Sequence, residues 1–151
     1  MYISGTGTEY ERLEDIIPII KDRLSKNNYL VVGCDSQKAR RRKHTFVLSI
    51  ALVDEGNGGI FFIKKWREDK TYALAEKLYK EAYLLIELAN ELKEYNIETD
   101  KIELHLDLSE DGRSGKFIKG VVGMCTAYGF DAKVKNEAWA SSGLADRYSK
   151  H

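Results

Sequence analysis

The chain has 151 residues, 43% hydrophobic and 32% charged, which fits one domain with a real core and excludes a disordered chain. Its 24 basic and 24 acidic residues cancel to a formal net charge of zero, so any nucleic-acid binding must come from a local basic patch. No apolar run reaches the roughly 18 residues of a membrane span, and the start lacks the basic-then-apolar pattern of a secretory leader. Cys34 and Cys125 have no zinc-type spacing and sit in apolar runs. They read as buried thiols of a reducing cytosol, so a cytoplasmic location is expected.

In chain order, residues 1–8 read as a loose start. Glu9 to Ser25 reads as a helix, with Leu13, Ile16, Ile17, Ile20 and Leu24 at helical spacing and Pro18 placed to kink it or shift its start. Tyr29 to Asp35 is the first expected strand, Lys38 to His44 a basic turn, and Thr45 to Val53 the second strand. The run Asp54 to Gly59 is a turn and Ile60 to Trp66 the third strand, so three strands on short loops form an antiparallel meander. A long helix is expected over Thr71 to Tyr95, with Leu74, Leu78, Ala82, Leu85, Ala89 and Leu92 on one stripe. Lys101 to Leu108 is the fourth strand, Lys116 to Tyr128 a helix stopped by Gly129, and Phe130 to Lys135 the fifth strand. A last helix starts at Glu137 or Ala138 and runs to about Tyr148. Right-handed crossovers place the fourth strand beside the first and the fifth outside it. The expectation is an α/β fold, a five-stranded mixed sheet in the order 3-2-1-4-5 with helices on both faces.

Asp35 ends an apolar strand in the run Leu30-Val31-Val32-Gly33-Cys34-Asp35. An acid there is costly to bury without a partner, unless it only caps the following turn. Asp107 ends the neighbouring fourth strand. Two carboxylates side by side repel, and one must protonate unless a cation lies between them. Oxygen-only ligands favour Mg2+ or Mn2+. Asp146 in the last helix is a third candidate, with a surface pair to Arg147 or Lys150 as the plainer alternative. On the long helix, Glu81 falls about 20° from the Leu74 direction, on the sheet-facing side, whereas Glu76 and Glu87 fall outward. A boundary glutamate with its head in water would fit the same position.

The strings Gly33-Cys34-Asp35-Ser36-Gln37, His105-Leu106-Asp107, Val121-Val122-Gly123-Met124 with Gly129-Phe130, and Ala145-Asp146-Arg147 carry a resemblance over nearly the whole chain. The chain resembles the ribonuclease H-like superfamily, and within it the YkuK-type ribonuclease H-like domain family, a predicted nuclease group without an assigned reaction. The resemblance implies a ribonuclease H-like fold and phosphodiester hydrolysis by two divalent ions about 3.5–4 Å apart. It implies that Asp35 bridges both ions, that Asp107 holds one and Asp146 the other, and that Glu81, with Glu76 as runner-up, completes the catalytic acids.

The basic run Lys38, Arg40, Arg41, Arg42 and Lys43 is the clearest substrate hint, since such a turn can bind several phosphates of RNA or DNA. Charged turns also serve as solvated loops. Lys116, Lys119, Lys133 and Lys135 extend the basic patch, and Ser36, Gln37 and Ser109 can donate to phosphate or cap turns. His44 and His105 are proton-transfer candidates, but the spacing gives neither a partner, and a packed or surface histidine fits both positions better. Trp66 and Trp139 fit packing better than base stacking. The leading expectation is a metal-dependent nuclease. The alternative is a non-catalytic nucleic-acid-binding module on the same fold. A nucleotide-binding or phosphotransfer protein is disfavoured, since no Gly-rich phosphate loop follows Asp35. RNA, DNA and hybrid substrates, endo and exo cleavage, and oligomeric state stay open at this point.

Overall fold

A computed structural model describes residues 1–54, 59–108 and 113–134. Strands β1 (Tyr2–Ser4) and β2 (Glu9–Tyr10) precede helix α1 (Leu13–Arg23). Strands β3 (Asn28–Ala39), β4 (Lys43–Asp54) and β5 (Phe61–Glu68) lead into helix α2 (Leu74–Glu94). Strand β6 (Ile102–Leu106), helix α3 (Ile118–Ala127) and strand β7 (Asp131–Val134) follow. The sheet is mixed and seven-stranded, in the order β2-β1-β5-β4-β3-β6-β7.

The five-strand expectation is corrected by the N-terminal hairpin. The run expected to be loose supplies β1, and the start expected to be helical supplies β2. Gly7 takes φ 90° in the turn between them, and Ser4 Oγ accepts from the Thr8 backbone N–H at 3.0 Å. The hairpin gains its stability by pairing on the β5 edge, Ile3 with Ile63 and Ser4 with Phe62, which local pattern does not reveal. The remaining strands keep the relative order β5-β4-β3-β6-β7 inside the larger sheet.

Helix α1 therefore starts at Leu13. Asp15 Oδ2 accepts the Arg12 backbone N–H at 3.0 Å, and Glu14 and Asp15 oppose the positive helix start. Pro18 sits inside the helix on its exposed side, where water can take the carbonyl that loses its partner. In α2, Glu76 Oε1 accepts the Ala73 N–H at 3.2 Å and the stripe Leu78, Ala82, Leu85, Ala89, Leu92 is buried. Gly129, at φ 89°, ends α3 in a left-handed turn that any side chain would strain.

On one face of β3 and β4, Leu30, Val32, Phe46 and Ile50 are fully buried. The apolar residues of α1, α2 and α3 join them in one core. Among the described residues these helices share that core, so the expected cover on both faces is not seen there. The last expected helix, with Asp146, Trp139 and the end of the fifth expected strand, lies outside the described residues, as does Ser109. No helix among the described residues is long and apolar enough to cross a membrane.

Candidate metal centre

Strand β6 runs parallel to β3 and its last pair is Leu106 with Cys34. Asp35 stands one residue past that pair and Asp107 one residue past the end of β6, so both sit at the carboxyl edge of a parallel pair. Helix α2 lies across β3 and β6 and brings Glu81 from its buried side. Ligand oxygens of Asp35, Glu81 and Asp107 all lie within 4.8 Å of one another. Asp35 and Asp107 are exposed, whereas Glu81 is only 4% exposed.

Electrostatics at this corner are unfavourable for three bare carboxylates. Burial pushes the Glu81 carboxyl up to about 8, and the charges of Asp107 and Asp35 push the same way. The Lys77 charge and a hydrogen bond from Ser36 act against that shift. Glu81 Oε1 is buried with no hydrogen-bond partner. Asp35 is also raised, by partial burial and then by a hydrogen bond and repulsion from Asp107. The Ser36 backbone N–H donates to Asp35 Oδ1 at 2.8 Å and partly offsets this. An oxygen-only set with a buried orphan oxygen fits a hard divalent cation.

A family model for ribonuclease H-like proteins matches residues 11–150. The chain belongs to the ribonuclease H-like family. No curated protein matches it.

The other expected site residues of this ribonuclease H-like chain fall as follows. Glu76 is exposed, caps α2 and pairs with Lys70 at 3.5 Å, so it stands apart from the acids. Glu87 is exposed as well. Lys38 lies within β3, which ends at Ala39, and Lys43 opens β4, so the basic turn narrows to Arg40, Arg41 and Arg42, all exposed. Arg41 and Arg42 hold φ of 59° and 60°. Lys43 pairs with Asp69 at 3.4 Å. Lys133 and His105 are both engaged by Glu103 Oε1, at 3.2 and 2.9 Å, so His105 is anchored on the sheet. Trp66 stacks on Phe46 at 5.5 Å and donates to Glu68, a packing role. Asp146 lies outside the described residues.

Sequence reasoning missed Lys77, which stands one helical turn before Glu81 and whose charge acts on both Asp35 and Glu81. It also left His44 without a partner. His44 Nε2 lies 2.9 Å from Ser36 Oγ. The signal was present: His44 shares strand parity with Phe46, Leu48 and Ile50, so it had to point into the core.

Proposed function

We propose that the chain is a divalent-metal-dependent nuclease that hydrolyses phosphodiester bonds of RNA or DNA by a two-metal-ion mechanism. The observation that carries this reading is the buried Glu81 carboxylate, with Oε1 unpartnered, set within 4.8 Å of Asp35 and Asp107. A surface that only binds nucleic acid has no use for such a group, because an unpaired buried acid lowers stability and repels phosphate.

In this reading Asp35, Glu81, Asp107 and Asp146 hold Mg2+ or Mn2+. Bound there, the ions would lower the pKa of the attacking water and offset charge on the leaving oxygen. The chain's own residues do the rest. Asp35, whose carboxyl is raised by partial burial and by Asp107, would bind the cation as the carboxylate. The Ser36 N–H keeps Asp35 Oδ1 fixed, so little reorganisation is needed. Lys77 brings positive charge to the corner a phosphate must enter.

The hairpin tip supports a polyanionic substrate. Arg40 lies five residues beyond Asp35, about 17 Å along the strand, in reach of phosphates flanking the site. Left-handed backbone costs a side-chain-bearing residue about 1 kcal/mol, and Asn-Gly is the usual solution. Two arginines at φ near 60° point to a demand for charge at the tip rather than for turn stability.

The test is cleavage of single-stranded, duplex and hybrid substrates in Mg2+ or Mn2+, with Asp35→Asn and Glu81→Gln as controls. Metal-dependent cleavage that falls to background in both variants is expected. Binding without cleavage, unchanged in both variants, would replace this reading with the non-catalytic binding module.

A further inference from the structure

Behind the carboxylates, a buried polar chain leads away from the site. His44 is 3% exposed and Ser36 2% exposed. Ser36 stands opposite Phe46 on β4, so His44, two residues earlier, is its diagonal neighbour on the same face. His44 Nε2 lies 2.9 Å from Ser36 Oγ, and the Ser36 hydroxyl lies close enough to the Glu81 carboxyl to oppose the rise in its pKa as a donor. The imidazole is packed between Phe46 and Tyr72, each with its ring centroid 5.0 Å away.

We infer that His44 is a positioning residue that acts through Ser36 to hold the Glu81 carboxylate towards Asp35 and Asp107. Burial and then the Lys77 charge lower the imidazole's pKa, with the Glu68 charge acting against them, and a neutral imidazole carries one N–H. A hydroxyl that donates to Glu81 must accept from its other neighbour. The proton therefore sits on His44 Nε2, and the donors run His44 Nε2–H to Ser36 Oγ, then Ser36 O–H to Glu81. A core histidine that was merely satisfied would accept any partner. This one ends on a carboxylate whose other oxygen has none. Outer partners of this kind fix ligand orientation, and their loss weakens metal binding by about 10–100-fold.

The role presupposes the cation site proposed above, so the experiment has an arm that needs no metal. In the metal-free full chain, 15N spectroscopy of the His44 ring is expected to show the Nε2–H tautomer, with ring resonances that move in Glu81→Gln. An Nδ1–H tautomer, or a ring blind to Glu81→Gln, overturns the inference. In the second arm Mn2+ is titrated calorimetrically. His44→Leu and Ser36→Ala are each expected to weaken Mn2+ binding by about 10–100-fold. His44→Gln, whose amide nitrogen can stand where Nε2 stands, should restore most of it. The double variant His44→Leu/Ser36→Ala should bind no more weakly than either single one, because both cut the same chain. Unchanged Mn2+ affinity in Ser36→Ala, the variant least disturbing to packing, also overturns the inference. If the wild-type chain takes up no Mn2+, the cation-site reading fails and the tautomer arm alone decides the role of His44.

Discussion

Glu68 and Glu81 lie on either side of His44 and are opposite in condition. Glu68 Oε2 accepts from Trp66 Nε1–H at 3.0 Å and Oε1 from the Tyr72 hydroxyl at 2.5 Å. The Tyr72 bond, with the Trp66 bond beside it, holds the Glu68 carboxyl below its usual range, and the same bond pushes the Tyr72 phenol up to about 12. Glu81, more deeply buried, is pushed up to about 8 and keeps an orphan oxygen. The chain completes one carboxylate by itself and leaves the other incomplete. Completion marks a structural acid, and a buried acid left open is the one with something still to bind.

Adding the missing cation gives the largest expected effect. Mn2+ at about a hundred times its dissociation constant should raise the unfolding free energy by roughly 2.7 kcal/mol. Thermal or urea unfolding measures this, and in Glu81→Gln the increment should vanish. A wild-type chain whose midpoint ignores Mn2+ would place Glu81 with Glu68, as a structural acid.

The same substitution at the two glutamates should have opposite signs without metal. Glu68→Gln turns an amide N–H2 towards the Trp66 or Tyr72 donors and should cost about 2 kcal/mol. Glu81→Gln aims a donor at two carboxylates and should stabilise by about 1.5 kcal/mol at pH 8. The pH dependence follows the same division. A raised folded pKa means that the Glu81 contribution is fully present below the ordinary carboxylate range and lost as pH rises through about 8. The Glu68 contribution is present above that range and lost as pH falls through its depressed value. Metal-free unfolding midpoints across pH 4 to 9 should therefore fall on the alkaline side, and Glu81→Gln should flatten that limb.

What could be read in advance follows the range of the interactions. The stripe of α2 put Glu81 on the buried side and Glu76 and Glu87 outside, because helical periodicity is local. The acids at Asp35 and Asp107 were legible from strand ends and the right-handed crossover, both generic rules. The β1–β2 hairpin was not, although Gly5-Thr6-Gly7-Thr8 between Tyr-Ile-Ser and Glu-Tyr is a turn signal. Strands of three and two residues carry too little pattern, and their stability comes from the β5 edge. The bond from His44 to Ser36 needed the hairpin register, which pairs Ser36 with Phe46.

The basic tip extends the comparison from buried acids to exposed bases. Replacing Arg40, Arg41 and Arg42 with Ala should weaken nucleic-acid affinity uniformly across sequences. The slope of log affinity against log salt should become shallower by roughly 0.7–0.9 per lost phosphate contact. Stability should change by less than about 0.5 kcal/mol, since exposed turn side chains carry little of it. Mn2+ binding should persist, because the tip begins about 17 Å along the strand from Asp35. An unchanged salt slope would leave the tip a solvated loop, and the nucleic-acid reading would then stand on the carboxylates and the family alone.

The smallest effect separates charge from conformation at that tip. Arg41 and Arg42 sit at φ 59° and 60°, where Asn and Gly are accommodated far better than arginine. Arg41→Asn/Arg42→Gly should therefore stabilise the hairpin, by about 1 kcal/mol in total, through relief of left-handed strain. If the arginines are there for phosphate, the same variant should lose affinity and flatten the salt slope by up to roughly 1.4–1.8 for two contacts. Stability and binding then move in opposite directions, as expected where strain is kept for function. Arg40→Ala, outside the left-handed pair, should lower affinity with no gain in stability. A more stable Asn-Gly hairpin that binds as tightly as wild type would mean that neither Arg41 nor Arg42 touches the substrate, and Lys38 and Arg40 would be left to hold the backbone.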